Sequence, residues 1–140
     1  MNKDINIKII GIHADIDNTA ESDEIITIAS GKYYFKNNSH YILFEEINDN
    51  HIIKNKIQFR DNYLLLTKSS ELNSEMEFTL NKITTSKYQF NAGKVVMNIN
   101  THKLDMSITD ESIDISIEYD LLQGEDIVSR CKVIIHISQL

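Results

Sequence analysis

The chain of 140 residues contains no proline and no tryptophan, a single cysteine, four glycines and only two arginines. Each shortage excludes something. With Cys131 alone, no internal disulfide can form and no second thiolate is available to complete a soft metal site. Four scattered glycines cannot build a phosphate-cradling loop or a dinucleotide fingerprint, and Gly-x-Ser-x-Gly is absent. The two arginines, Arg60 and Arg130, stand apart in a chain of net charge −7. A phosphate backbone is bound by clustered Lys and Arg, so nucleic acid and anionic membrane surfaces are not expected partners. No apolar run approaches the ~20 residues that span a bilayer as a helix. Asn6 and Lys8 interrupt the N-terminal apolar stretch, and no small-residue cleavage site follows, so the chain reads as cytoplasmic. Without proline, an edge strand loses one of its usual guards against pairing with another chain, and closing the sheet removes the need for one.

What is present is β-forming. Ile accounts for 24 residues, with six Tyr and five Phe, all suited to a pleated, half-buried surface. The clearest segment sets Ile113, Ile115, Ile117, Tyr119 and Leu121 against Ser112, Asp114, Ser116, Glu118 and Asp120. Side chains alternate faces along a strand, so this run has one apolar and one wet face. Similar alternation predicts strands over 5–13, 25–36, 40–47, 52–60, 63–68, 75–80, 84–90, 94–109, 112–122 and 125–138. The intervals are short and rich in Asn and Asp, and Asn, at 14 residues, tolerates the left-handed turns that Gly would otherwise make. No linker, repeat or low-complexity tract divides residues 1–140. The expected fold is all-β, a single antiparallel barrel of about eight to ten strands with short hairpin loops. Two local irregularities are expected: a bend at Gly31, and a β-bulge between Thr101 and Lys103. At the second, the apolar set changes parity from Val95, Met97 and Ile99 to Leu104, Met106 and Ile108.

Three segments carry a family likeness: GKYYFKNNSHYILFEE from Gly31, KYQFNAGKVVMNINTHKL from Lys87, and ISIEYDL from Ile115. In order and spacing they resemble the YwiB-like family, small bacterial proteins with a calycin-like β-barrel, classed as a domain of unknown function. The resemblance implies that the barrel is calycin- or lipocalin-like and supplies no activity, substrate or catalytic residue. The turn Asn91-Ala92-Gly93 departs from the Thr-Pro or Ser-Phe-Gly-like turn of many members. The Gly-x-Trp signature of true lipocalins is absent, since there is no Trp.

Candidate chemistry is sparse. Asp15-Ile16-Asp17-Asn18-Thr19 resembles the start of a calcium loop, but Ala20 and Ile26 stand where an EF-hand needs Gly and Glu, and strands rather than helices flank it. The histidines His13, His40, His51, His102 and His136 form no i,i+2 or i,i+4 pair, and no metal or cofactor is expected. Glu45 and Glu46, adjacent on a strand, point to opposite faces and cannot act on one substrate atom. A catalytic reading would need polar groups such as Arg60, Glu45, Thr101 and His102 to converge. The leading expectation is therefore a non-catalytic binding module for a small apolar or amphipathic ligand. Strand parity and size nominate Tyr34, Tyr88, Met97, Ile99 and Tyr119 as ligand-facing. The alternative is an interaction protein with a filled core that pairs with itself, as a homodimer, or with a protein partner. Cys131 shares its parity with Val133, Ile135 and Ile137 and reads as a small buried hydrophobe.

Overall fold

The computed structural model describes residues 3–15, 23–90 and 92–140. Residues 16–22 and Asn91, on which the calcium-loop and turn expectations fall, lie outside them. Among the described residues every regular element is a strand: β1 Lys3–Asp15, β2 Asp23–Lys36, β3 Ser39–Asn48, β4 His51–Arg60, β5 Tyr63–Ser69, β6 Asn73–Thr79, β7 Ile83–Phe90, β8 Gly93–Ile108, β9 Ser112–Gln123 and β10 Asp126–Gln139. Each pairs antiparallel with its sequence neighbour, and β1 pairs with β10, which closes a ten-stranded barrel. Closure gives every strand two neighbours over at least part of its length, which removes most of the edge that the missing prolines would leave unguarded.

Asparagine makes the turns. Asn37 and Asn38, and Asp49 and Asn50, hold positive φ in two-residue loops, and Asn62 and Asn81 each hold it singly, in the 61–62 and 80–82 connections at the same end as 37–38. Paired positive φ gives the loop the twist of its flanking strands, which is why so few glycines suffice. The bulge between Thr101 and Lys103 is present, with His102 as the extra residue, and a second lies between Ile127 and Ser129 that no parity change announces.

The inner wall is read from the pairing. Ile5, Ile7, Ile42, Ile57, Phe59, Leu64, Phe78, Ile99, Leu104, Ile115, Ile117 and Ile137 all face the axis and are buried, forming one core. The antiparallel order puts the 37–38, 61–62, 80–82 and 109–111 turns at one end, where this core is densest. At the other end, next to the 49–50, 70–72 and 124–125 turns, inward-facing side chains are left open: Ile25 is 61% exposed, Tyr88 44% and Val95 43%. Among the described residues the first end is the better filled, with Phe35 and Ile108 exposed only at its rim, and the second is the more open.

One seam interrupts the wall. β2 pairs with β3 only from Gly31 to Lys36, while Asp23–Ser30 pairs with β1 alone among the described residues. Gly31 marks the point of divergence. A Cβ there would lie 2.3 Å from the Leu43 carbonyl oxygen and 3.0 Å from Phe44 Cβ, closer than side chains pack, so glycine lets the two backbones touch before they part.

Candidate functional site

The five nominated residues divide between the two faces. Met97 and Ile99 on β8, Tyr88 on β7 and Tyr119 on β9 point inward, since Tyr88 lies opposite Val95, and Ile99 and Thr101 lie opposite Leu121 and Tyr119. Ile99 and Tyr119 are buried in the core, where Tyr119 meets Phe78 edge-on at 4.9 Å, and Met97 and Tyr88 lie nearer the open end. Tyr34 is corrected to the outer face. Gly31 and Tyr33 carry the inward parity of β2, so Tyr34 points away from the axis and stacks on Tyr41 at 4.8 Å, with the Lys56 ammonium 5.6 Å from the Tyr41 ring. Parity within Tyr33-Tyr34-Phe35 cannot be read from size, because all three are aromatic. Tyr33, with Phe35 at the same parity, is inward. Its hydroxyl meets His40 Nδ1 at 2.7 Å, and His40 in turn stacks on Phe59.

A polar group that the sequence reading passed over sits on the inner wall beside the seam. Phe44, Asn55, Lys68, Ser74, Tyr88 and Val95 lie directly opposite one another on six successive strands, a row that runs from the buried core to the open rim. Glu46, one inward step beyond Phe44, accepts a hydrogen bond from Asn55 Nδ2 at 2.9 Å and has Lys68 Nζ at 3.5 Å, both on Oε1. Asn55 is 2% exposed, and its Nδ2 also donates to the Ile53 carbonyl, yet its Oδ1 is buried without a hydrogen-bond partner. Burying an unpaired amide oxygen costs about 1–3 kcal/mol. Thr101 Oγ1, also on the inner wall, is the other such atom among the described residues. The signal was present in the sequence: Glu46 follows Ile42 and Phe44, Asn55 precedes Ile57 and Phe59, and Lys68 follows Leu64 and Leu66, each at the same parity. Three polar residues on apolar faces of consecutive strands mark a shared spot on the inner wall.

Outside the seam, a cleft of about 600 Å³ lies between β2 and β3, bordered by Ser30, Gly31, Leu43 and Lys54, with Phe44 and Asn55 lining it from the inner wall. Its charged rim is balanced, for Lys32 pairs with Asp4, and Lys54 lies opposite Glu45. Volumes of 300–1,000 Å³ are those of ordinary small-molecule sites.

Two further clusters differ in character. On the inner wall, Cys131 Sγ lies 3.2 Å from His13 Nδ1 and 3.4 Å from Ser129 Oγ. Burial, and then the neighbouring thiol, push the Tyr119 hydroxyl up, so it stays protonated as a partner of Cys131. Cys131 is thus more than a hydrophobe: it anchors a hydrogen-bonded knot that ties β1, β9 and β10. On the outer wall, the bulge re-aims His102 so that Nε2 meets Asp120 Oδ2 at 2.7 Å, and Arg130 Nε lies 3.9 Å from the other oxygen. The groups a catalytic reading would need do not converge. Arg60 stacks on Tyr63 at 4.3 Å, Glu45 points out at the seam, and Thr101 points inward while His102 faces out. Among the described residues no group of three or more His, Cys, Asp or Glu side chains is placed to hold a metal ion, and no helix is long and apolar enough to cross a membrane.

The fold defines a closed, ten-stranded, antiparallel β-barrel. More narrowly, residues 7–135 match the family model described as a domain of unknown function, DUF1934, and the chain belongs to that family. It is 25% identical over 97 residues to the uncharacterized beta-barrel protein YwiB of Bacillus subtilis (strain 168), an alignment covering 69% of this chain and 68% of that one. The crystal structure of the ywiB protein from Bacillus subtilis superimposes with a TM-score of 0.85 at 21% identity, covering 99% of this chain and 93% of that one, a likeness of fold.

Proposed function

We propose that this protein is a cytoplasmic, non-catalytic binding barrel that receives a small apolar or amphipathic ligand through its open end. One observation carries the reading: next to the 49–50 and 124–125 turns, Ile25, Val95 and Tyr88, which the pairing directs toward the axis, are 43–61% exposed, whereas at the other end Phe35 and Ile108 are exposed at the rim but Phe59, Leu64, Phe78 and Ile113 beside them are buried. A barrel built only to be filled would cover them. Ten strands enclose more room than eight, and side chains just fill eight. Met97 and Leu121 extend the apolar lining below the rim, and Glu46, Asn55 and Lys68 give it a polar spot. Apolar walls with a few fixed polar groups are what an amphipathic ligand requires.

The test pairs native mass spectrometry of gently purified protein with fluorescence titration of a polarity-sensitive apolar dye. A discrete non-covalent adduct, and a saturable dye signal abolished by Met97→Arg with the fold retained, are expected. A bare mass together with a dye signal indifferent to Met97→Arg would refute the reading.

A second reading, self-association, rests on a different surface. Ile26 and Ile28 are 51% and 74% exposed on the outer face of β2, beside Ile10 and Ile134 and along the stretch that has no second strand neighbour among the described residues. Such an edge is a template for strand pairing. Sedimentation velocity would then show a dimer that Ile28→Lys dissolves, and a wild-type monomer at high concentration would end that reading.

A further inference from the structure

We infer that the ligand of this barrel carries a cationic, hydrogen-bond-donating head group, an ammonium on an apolar body, seated against Asn55 Oδ1 and Glu46 Oε2 beside the seam. The inference rests on the binding-barrel reading above and adds the sign of the head group. Asn55 is the anchor. Its amide orientation is set by two acceptors, Glu46 Oε1 and the Ile53 carbonyl, both taken by Nδ2, so the atom left without a partner is the acceptor Oδ1. Turning the amide over would bring that oxygen against a carboxylate and a carbonyl, and is excluded by repulsion. Glu46 is in the same condition. Both of its protein contacts fall on Oε1, which leaves Oε2 as a second acceptor beside the first. The site therefore offers two acceptors, one of them anionic, on a side chain pair that is largely shielded from water. An ammonium fits that pattern with its three donors, a hydroxyl satisfies one acceptor only, and a carboxylate satisfies neither.

Charge points the same way. The charged rim of the seam cleft is balanced, and the chain as a whole carries −7, so the approach of a cation is favoured. Lys54 at the cleft lies opposite Glu45, so the opposing group in contact with Glu46 is Lys68. It holds Oε1 at 3.5 Å, beyond a tight ion pair, with its side chain 42% exposed, so it is free to swing into water when another cation arrives. Lys68 is thus the competitor of the ligand, and the opposite assignment would make it the ligand's anchor. The two assignments predict opposite effects of one substitution.

The experiment displaces the apolar dye from the full chain with dodecylammonium, dodecanol and dodecanoate, each below its micelle concentration, in wild type, Lys68→Met and Asn55→Leu. Dodecylammonium is expected to bind best, by roughly tenfold or more over dodecanol, the worth of a charge-assisted hydrogen bond. Lys68→Met is expected to tighten it several-fold, and Asn55→Leu to weaken it to the level of dodecanol. Lys68 is half exposed, so its variant folds even if the Asn55 variant does not. Dodecanoate binding best, with Lys68→Met weakening it, would overturn the cationic head group and leave the barrel reading standing. Equal binding of all three would also overturn the head group. Absence of dye binding and of displacement by any of them would remove both.

Discussion

Ile117→Ala is the sharpest probe of which way the wall faces. Ile117 is 1% exposed at the middle of β9, lying between Leu104 on β8 and Val133 on β10. The substitution removes three carbons from a filled part of the core, worth about 2.4 kcal/mol at ~0.8 kcal/mol per buried methylene. The surrounding strands are tied on both sides and relax little, so a residual cavity adds about 24 cal/mol per Å³. The total expected loss is about 2–5 kcal/mol. Ile26→Ala is the control, the same deletion on an outward side chain that is 51% exposed, with an expected change within about 0.5 kcal/mol. Urea unfolding followed by tyrosine fluorescence and far-UV circular dichroism measures both, and a fall in the midpoint at constant slope is the required signature. A loss below about 1 kcal/mol for Ile117→Ala, or equal losses for the two variants, would refute the assignment of inner and outer faces.

Gly31→Ala should lower stability by about 1–3 kcal/mol, because its Cβ meets the Leu43 backbone rather than a yielding side chain; an unchanged thermal midpoint would show that β2 and β3 are not pressed together there. Burial lowers the His40 pKa below its ordinary value in spite of the Asp61 charge that raises it, so the unfolded chain binds the extra proton more readily. Stability is therefore expected to be full above the unfolded value near 6.5 and to fall as the pH drops from there toward the lowered folded value, a slope that His40→Gln should flatten over pH 5–7 in melting curves. Cys131, 6% exposed, should react with a disulfide reagent far more slowly in the native protein than in urea, and a native rate equal to the unfolded one would contradict its burial.

How far the sequence can be read is best judged at particular strands. β9 was legible to the residue, because Ile and Tyr alternate with Ser, Asp and Glu, and a strand has only two faces to assign. The bulge at His102 was legible for the same reason: a change of parity inside one strand has no other geometric solution. The Asn turns follow from a tolerance for positive φ that few other residues have. The Tyr33-Tyr34-Phe35 run is not legible, since three aromatics carry no alternation, and the outward direction of Tyr34 follows only from Gly31, whose contact with Leu43 sets the parity. The bulge after Ile127 was hidden likewise, because apolar residues stand on both sides of it.

Alternation of side-chain polarity is a local property, so strands, turns and most inward faces could be written down from the order of residues alone. The site is not local. Glu46, Asn55 and Lys68 come from three strands, and only the register of β3, β4 and β5 brings their heads onto one oxygen and leaves another without a partner. The open end and the seam likewise depend on where β2 stops pairing with β3, a long-range choice set by one close backbone contact. Register across strands is decided by packing of the whole barrel, and no single stretch of sequence carries it.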